Sequence, residues 1–299
     1  MSVVGIRRLM LHCLKAGRLL LAGLVFALPV FTSATFASTA FAGQSPLIFG
    51  VFPNLSPKVL VETYRPLADF LQDRLQRRIE IYSAPDFRTF AANTARGDYD
   101  LLLTAPHLAW LARQDAGYRP LLKYAEPVHG VLVVRADSPI QTTAQLRGKL
   151  IAIADPLAVV VMAMQAQLRA QGLAPGSSIQ MENAQSHNNA AMRVFSGGVE
   201  AAILGAQPYR RLPAEVQSGL RILAETPSLS SQMFLTHPRL REQEALAVRQ
   251  MLLVYAATSE GRAFMERGGF GGFAELDGRE LLAFKTYALE VQAQLKAPR

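Results

Sequence analysis

The sequence predicts an α/β protein with two lobes, built from mostly parallel sheets. Short apolar strands alternate with amphipathic helices almost to the C-terminus, which is typical of α/β folds and unlike a sandwich or a helical bundle. Two extended crossings, near 133–136 and 225–232, indicate that the second lobe is inserted into the first. Lobes joined in this way form a hinge and close on ligands between them.

The first lobe is predicted to begin with a strand-helix-strand-helix-strand unit. Apolar residues from Val59 to Leu75 recur on one face of a long helix, and Phe87 and Phe90 mark a short helix that ends at Gly97. The three strands are predicted at 47–51, 78–82 and 100–104.

The second lobe is predicted to follow a β-branched run at 130–135 and a turn at 137–139. Its later strands are expected at 150–153, 179–182 and 199–204, and strands at 220–224 and 233–236 lead back to the first lobe. Helices are expected at about 241–257, 259–266 and 276–295, with a flexible glycine-rich loop at 268–272. The predicted division is residues 43–133 for the first part of lobe 1, 134–230 for lobe 2 and 231–299 for the return to lobe 1.

Residues 1–42 have the pattern of a secretory signal peptide. Basic residues without an acid precede an apolar run from Leu19 to Phe31, and small residues lead to Ala42, after which we expect cleavage. The apolar run is shorter than the roughly 20 residues that span a bilayer. The mature protein is therefore expected in the periplasm, and without Cys13 it has no thiol for disulfides or cysteine catalysis.

The net charge of +8 does not indicate nucleic-acid binding. Part of it belongs to the basic leader, and the remaining Arg and Lys residues are scattered over predicted helix faces rather than gathered in a stripe. We expect a monomer without a nucleic-acid partner.

Polar residues follow three strands at the points where helices begin. Thr104 and His107 stand at the first of these junctions, and Ser186, His187 and Asn188 stand at the third. Because helix N-termini present free N–H groups and meet at the carboxyl ends of parallel strands, these junctions are candidate ligand contacts. Capping explains part of the same pattern without any ligand.

Signatures of catalysis or metal binding do not appear in the sequence. A Ser–His nucleophile needs an orienting acid and an elbow motif, and the four histidines of the mature chain are too far apart for metal-ligand spacing. Asp98 and Asp100 are interpreted as solvated turn acids. We therefore predict no enzyme activity, no cofactor and no metal.

Several segments together resemble the solute-binding proteins of phosphate, phosphite and phosphonate ABC transporters, a branch of the type 2 periplasmic binding fold. The resemblance covers about 45–290 and is carried by residues 48–51, 64–71, 97–101, 133–138, 146–149, 154–156, 186–187 and 198–202. It implies a two-lobed, non-catalytic receptor that delivers a captured solute to a membrane permease. A sensor receptor for a membrane-bound histidine kinase and a secreted hydrolase are the alternatives.

The resemblance also implies where the ligand lies. Where the family has a Ser/Thr cluster that holds phosphonate oxygens, this chain has Ala158, Val159 and Val160, and where the family often has an acid it has Gln207. We therefore expect a small, oxygen-rich or anionic solute, with Thr104, Ser186, His187 and Gln207 converging in the cleft. The candidate ligand-binding residues are Phe52, Ser56, Thr104, His107, Ala158, Val159, Val160, Ser186, His187, Asn188 and Gln207.

Overall fold

A computed structural model describes residues 45–277 and 279–296 of the chain. The predicted signal peptide, its cleavage after Ala42 and Cys13 lie outside these residues. Within the described range, no helix combines the length and the apolar character needed to cross a membrane.

Two sheets organise the described residues. The strands are β1 (Leu47–Val51), β2 (Ile79–Tyr82), β3 (Leu101–Thr104), β4 (Arg119–Tyr124), β5 (Gly130–Arg135), β6 (Leu150–Ile153), β7 (Gln180–Asn183), β8 (Ala201–Gly205), β9 (Leu220–Glu225), β10 (Met233–Thr236) and β11 (Phe273–Ala274). The first sheet has the order β11-β4-β10-β3-β1-β2, and the second has the order β7-β6-β8-β5-β9. We call the first sheet with its helices lobe 1, and the second sheet with its helices lobe 2.

Helices cover both sheets. They are α1 (Pro57–Leu75), α2 (Phe87–Ala95), α3 (Pro106–Ala116), α4 (Val159–Ala170), α5 (His187–Phe195), α6 (Ala206–Arg210), α7 (Ala214–Ser218), α8 (Glu242–Ala257), α9 (Ser259–Gly268), α10 (Glu280–Ala283) and α11 (Lys285–Lys296), with a 3₁₀ turn at Thr143–Leu146. The predicted α/β class with two sheets is confirmed, and the last predicted helix is two helices, α10 and α11.

The sheets are more mixed than the sequence predicts. Strands β1, β2 and β3 pair in parallel, as do β6, β7 and β8. Strand β10 joins the first sheet antiparallel to β3 and β4, and β5 joins the second sheet antiparallel to β8 and β9. Strands β5 and β10 are each the first strand after the chain passes from one sheet to the other, whereas helices connect the successive parallel strands.

The chain passes between the sheets twice, in neighbouring segments. Residues 125–129 connect β4 to β5, and residues 226–232 connect β9 to β10. The two segments pair through Val128 and Leu229, whose backbone N–H groups each donate to the other's carbonyl oxygen at 3.0 and 2.7 Å. The first crossing therefore precedes the predicted position near 133–136, which lies inside β5.

Burial explains which strands are central. Every residue of β3 and β8 is buried, as expected of apolar strands covered on both faces, whereas the edge strand β7 is polar and partly exposed. Helix α4 packs on β5 and β8, and its apolar start from Leu157 to Val161 belongs to the same hydrophobic cluster as the core of lobe 1. One apolar cluster thus extends across both lobes.

Asp100 has a structural role that the sequence interpretation missed. Its carboxylate accepts the backbone N–H of Ile48 at 2.7 Å and pairs with Arg239, and only 6% of the residue is exposed. Asp98 is partly exposed and pairs with Arg96, in agreement with a solvated turn acid. Asp100 directly precedes β3, and its backbone N–H also donates to the Ile48 carbonyl at 2.8 Å, so its main chain and its side chain both tie the start of β3 to β1.

Candidate functional site

A cavity of about 110 Å³ lies between the two lobes, at the ends of their strands. Its walls come from the loop after β1, the starts of four helices, the crossing 125–129 and the segment after β8. The position agrees with the rule that ligands of open α/β sheets bind beyond the carboxyl ends of the strands.

The helix starts at the cavity fall into two pairs. Helices α2 and α5 are capped, since Asp86 accepts the N–H of Thr89 and Ser186 accepts the N–H of Asn189. Helices α3 and α4 begin after Ala105 and Ala158, which offer no side-chain cap. Pro106 has no N–H and the Val161 N–H donates to the Ala158 carbonyl at 2.9 Å, so the N–H groups left to other acceptors, such as ligand oxygen atoms, belong to His107 and Leu108 in α3 and to Val159 and Val160 in α4.

His187 presents a hydrogen-bond donor to the cavity. Its Nδ1 accepts the backbone N–H of Gly205 at 3.3 Å, and desolvation by burial lowers the pKa of His187 to about 4. The ring is therefore neutral near pH 7, and because Nδ1 is an acceptor, the single proton lies on Nε2.

Helix α6 and the residue after it connect the lobes beside the cavity. The side-chain amide of Gln207 donates to the carbonyl oxygen of Gly269, and the Arg211 guanidinium donates to that of Arg267. Both acceptors lie at the C-terminal end of α9 in lobe 1, where carbonyl groups lack helical partners. Lobe 2 thus caps a helix of lobe 1, and we call these two bonds the α6–α9 clasp.

The glycine-rich segment 268–272 is a structured turn rather than the predicted flexible loop. Gly269, Gly271 and Gly272 have positive φ angles, which only glycine adopts readily. The turn places Phe270 on Tyr124, with ring centroids 3.9 Å apart and planes 6° from parallel. The backbone N–H of Glu126 donates to the Phe270 carbonyl at 2.9 Å, so the turn is tied to the crossing and Phe270 lines the cavity.

The charged side chains that line the cavity are basic. Arg210 and Arg211 contribute to its wall, whereas Asp86 and Asp155 line the adjoining cavity, which shares Asn54, Phe87, Ala158 and His187 with it. Desolvation lowers the pKa of Arg211, although a guanidinium stays charged at neutral pH. The remaining walls are mainly apolar and aromatic, with Phe52, Val128 and Val159 as examples.

The structure brings together six of the eleven predicted residues. They line the cavity from both lobes, and Gln207 and His187 are the polar members. The six residues are Phe52, Ala158, Val159, Val160, His187 and Gln207.

The other five predicted residues lie elsewhere. Thr104 is fully buried within β3, and its hydroxyl has no hydrogen-bond partner. His107 is fully buried on α3 and contacts the Leu157 carbonyl, Ser186 caps α5, and Ser56 and Asn188 are exposed. His187 and Gln207 thus line the cavity, Thr104 lies inside the sheet, and Ser186 caps α5 and lines the adjoining cavity that shares His187.

Sequence reasoning missed several residues of the cavity wall. Arg210 and Arg211 lie at the C-terminal end of α6, a short helix that directly follows β8, so their nearness to a strand end was a usable signal. Tyr64, Gln232 and Phe270 come from a helix interior, a crossing and a turn, and only the tertiary fold brings them to one place.

Ser186 and His187 do not form a nucleophilic pair. The hydroxyl of Ser186 bonds the N–H of Asn189, and Nδ1 of His187 bonds the N–H of Gly205. Within the described residues, no group of three or more His, Cys, Asp or Glu side chains is placed to hold a metal ion.

Known structures share this architecture. XAC2383 from Xanthomonas citri, solved with a chloride ion, is 23% identical, with a TM-score of 0.72 over 84% of this chain and 100% of the other. A binding protein component of an ABC phosphonate transporter from Pseudomonas aeruginosa (PA3383) has 17% identity and a TM-score of 0.75, over 84% and 87% of the two chains. PhnD1 from Prochlorococcus marinus, in complex with methylphosphonate, has 13% identity and a TM-score of 0.74, over 82% and 98%.

These similarities establish the type 2 periplasmic binding fold, and a family model gives the class of protein. Curated proteins yield no match. The model of the phosphonate ABC transporter periplasmic substrate-binding protein matches residues 49–281, which is most of the chain. That family consists of solute-binding proteins rather than enzymes, and it lends no support to the sensor or hydrolase alternatives. The chain therefore belongs to the periplasmic substrate-binding proteins of phosphonate-type ABC transporters.

Proposed function

We propose that this protein captures a small organic anion in the cavity between its lobes and delivers it to the permease of an ABC transporter. The observation that carries the proposal is the cavity wall, which comes from both lobes and has the guanidinium groups of Arg210 and Arg211 as its charged groups. Membership of the family supports delivery to a permease. The signal-peptide pattern supports action as an exported protein.

The proposed ligand contacts divide between the lobes. Phe52 belongs to lobe 1, and Ala158 to Val160, His187, Gln207 and Arg211 belong to lobe 2. A ligand that touches both sets stabilises the closed arrangement more than the open one, because only the closed arrangement offers all of its contacts. The hinge for this movement is the pair of crossings 125–129 and 226–232.

A thermal-shift screen of the purified protein tests this function. The panel contains phosphate, phosphite, alkyl phosphonates, alkyl sulfonates, short carboxylates, amino acids and vitamins. A solute that binds only the folded state stabilises it by about 2.7 kcal/mol at 100 times its dissociation constant, which is readily detected. We expect stabilisation by an anionic member, with a smaller radius of gyration in solution scattering as the lobes close.

Two variants connect the response to the cavity. Ala158→Phe places an aromatic ring in the cavity wall and is expected to remove the stabilisation by the solute. Ala283→Phe adds the same ring to an exposed position on α10, and it should respond as the wild type does. A solute that stabilises Ala158→Phe as strongly as the wild type binds outside the cavity and contradicts the proposal.

A further inference from the structure

We infer that contacts between the lobes themselves close the protein for part of the time without a solute. The apolar start of α4 and the hydrogen bonds between the lobes favour closure, and two acids of the cleft, Asp86 and Asp155, oppose it. Closure here is the hinge movement of the proposed function, and no property of the solute enters it.

The start of α4 forms an apolar wall that faces lobe 1 across the cavity. Ala158 to Val160 line the cavity on the side of lobe 2, and Phe52, Phe87 and Ala105 line it on the side of lobe 1. All six residues are at most 7% exposed, and all belong to one hydrophobic cluster. Because apolar surface gains free energy when it leaves water, separation of the lobes is opposed by the exposure of both walls.

Hydrogen bonds link the lobes directly. The imidazole of the fully buried His107 contacts the Leu157 carbonyl through Nε2 at 2.9 Å, two residues before α4. In the α6–α9 clasp, the Gln207 side chain donates to the Gly269 carbonyl. One hydrogen bond of typical strength changes a two-state ratio by about fivefold. These links therefore favour closed lobes without any contact to a solute.

Two acids of the same cleft oppose closure. Asp86 of lobe 1 and Asp155 of lobe 2 line the adjoining cavity, and Asp155 accepts the Leu157 N–H at 2.7 Å. Burial raises the pKa of Asp155, the bond from Leu157 lowers it, and the nearby Asp86 raises it again. Burial and the like charge disfavour the carboxylate in the closed arrangement, and both effects weaken as the lobes separate. His187 lines the same cavity as a neutral ring near pH 7 and does not offset these charges.

The balance of these interactions has a consequence for capture. A solute that touches both lobes selects the closed arrangement from an equilibrium that already exists. Because the apparent affinity is proportional to the fraction of molecules in the binding-competent state, substitutions that change this fraction change the affinity as well.

The distance between two spin labels tests the inference in protein without solute. Lys58→Cys on α1 and Asn188→Cys on α5 carry the labels at exposed positions in different lobes, and Cys13→Ser removes the native cysteine. Unfolding in guanidinium and refolding free the protein of any solute from the cell. We expect pulsed electron double resonance at pH 7 to give two populations, of which the shorter distance agrees with the structure and includes at least one molecule in ten. A single longer distance overturns the inference.

Substitutions in the cleft are expected to shift the two populations in opposite directions. Val160→Asp places a carboxylate where closure takes it out of water, so the ratio of closed to open molecules should fall at least tenfold. Leu246→Asp adds the same charge on α8, where the leucine is 56% exposed, and should leave the ratio unchanged. Asp155→Asn keeps an acceptor for the Leu157 N–H and removes the charge, so the ratio should rise at least threefold. Asp137→Asn removes an exposed acid of lobe 2 and controls for net charge.

A milder variant keeps the test decisive if the α4 variant does not fold. Gln207→Ala should lower the ratio about fivefold, with Gln217→Ala on α7 as its control. Ratios that are equal in the α4 variant and its α8 control, or in the two glutamine variants, overturn the role of the interlobe contacts, and equal ratios in the two aspartate variants overturn the role of the acids. If no solute of the thermal-shift panel binds while the populations shift as expected, the proposed function fails and the inference stands.

Discussion

The imidazole Nε2 of His107, on α3 of lobe 1, lies 2.9 Å from the carbonyl oxygen of Leu157 in lobe 2. Because a carbonyl only accepts, the ring donates through Nε2–H, and its Nδ1 is buried without a partner. One hydrogen bond of a fully buried histidine therefore joins the two lobes beneath the start of α4.

This bond predicts a dependence of stability on pH. Burial lowers the pKa of His107 from 6.5 to about 4, so the unfolded chain takes up the proton at a higher pH than the folded protein. Stability present above pH 6.5 is thus lost as the pH falls from about 6.5 to about 4, by about 3 kcal/mol at most from this group. Urea unfolding at several pH values measures the loss.

His107→Gln separates this effect from other titrations. The glutamine amide can still donate to the Leu157 carbonyl but does not titrate, so the variant should lose less stability between pH 6.5 and pH 4 than the wild type does. Both proteins keep His187 and all carboxylates as a common background. If the free energy of unfolding fell equally with pH in both proteins, His107 would not take up a proton on unfolding in this range.

The α6–α9 clasp is predicted to hold the glycine turn. Gln207→Ala removes the bond to the Gly269 carbonyl, at a cost of about 1 kcal/mol for a typical hydrogen bond. We expect faster amide hydrogen exchange in the segment 269–272 of the variant. Gln217→Ala, on α7 of the same lobe, is the control, and unchanged exchange in Gln207→Ala would mean that the clasp does not restrain the turn.

The same substitution at Asp100 and at Asp98 is expected to change the free energy of unfolding by different amounts. Asp100→Asn removes the charge that pairs with Arg239 and alters the acceptor of the Ile48 N–H, so we expect a loss of about 1–3 kcal/mol in the free energy of unfolding. Asp98→Asn affects a partly exposed ion pair with Arg96, and its effect should stay below about 1 kcal/mol. Denaturant unfolding of both variants checks the difference, and equal effects would contradict the assignment.

Gly50 in β1 is predicted to tolerate no side chain. A Cβ atom there would lie 2.3 Å from Cγ of Tyr99, so Gly50→Ala is expected to destabilise the protein by about 1–3 kcal/mol through overpacking. The double variant with Tyr99→Leu removes the ring and should show a smaller additional loss than the two single losses added together. Strict additivity in thermal unfolding would indicate that the ring moves aside freely.

The class of fold and several cavity residues followed from the sequence because they depend on local pattern. Apolar strands and amphipathic helices have periods of two and 3.6 residues, and helix starts at strand ends were visible at Val159 and His187. Strand β4, by contrast, was missed because Arg119, Pro120 and Lys123 interrupt its apolar pattern.

By itself, the sequence determined an α/β chain with helix starts of donor character, no cysteine after residue 13 and no catalytic signature. Only the tertiary structure decided which side chains share the cavity: it placed Arg211 and Phe270 in the wall and left Thr104 inside a sheet. The physical reason is that pairing between distant segments, such as β10 with β3 and the α6–α9 clasp, depends on packing across the whole molecule, and no local pattern of residues encodes it.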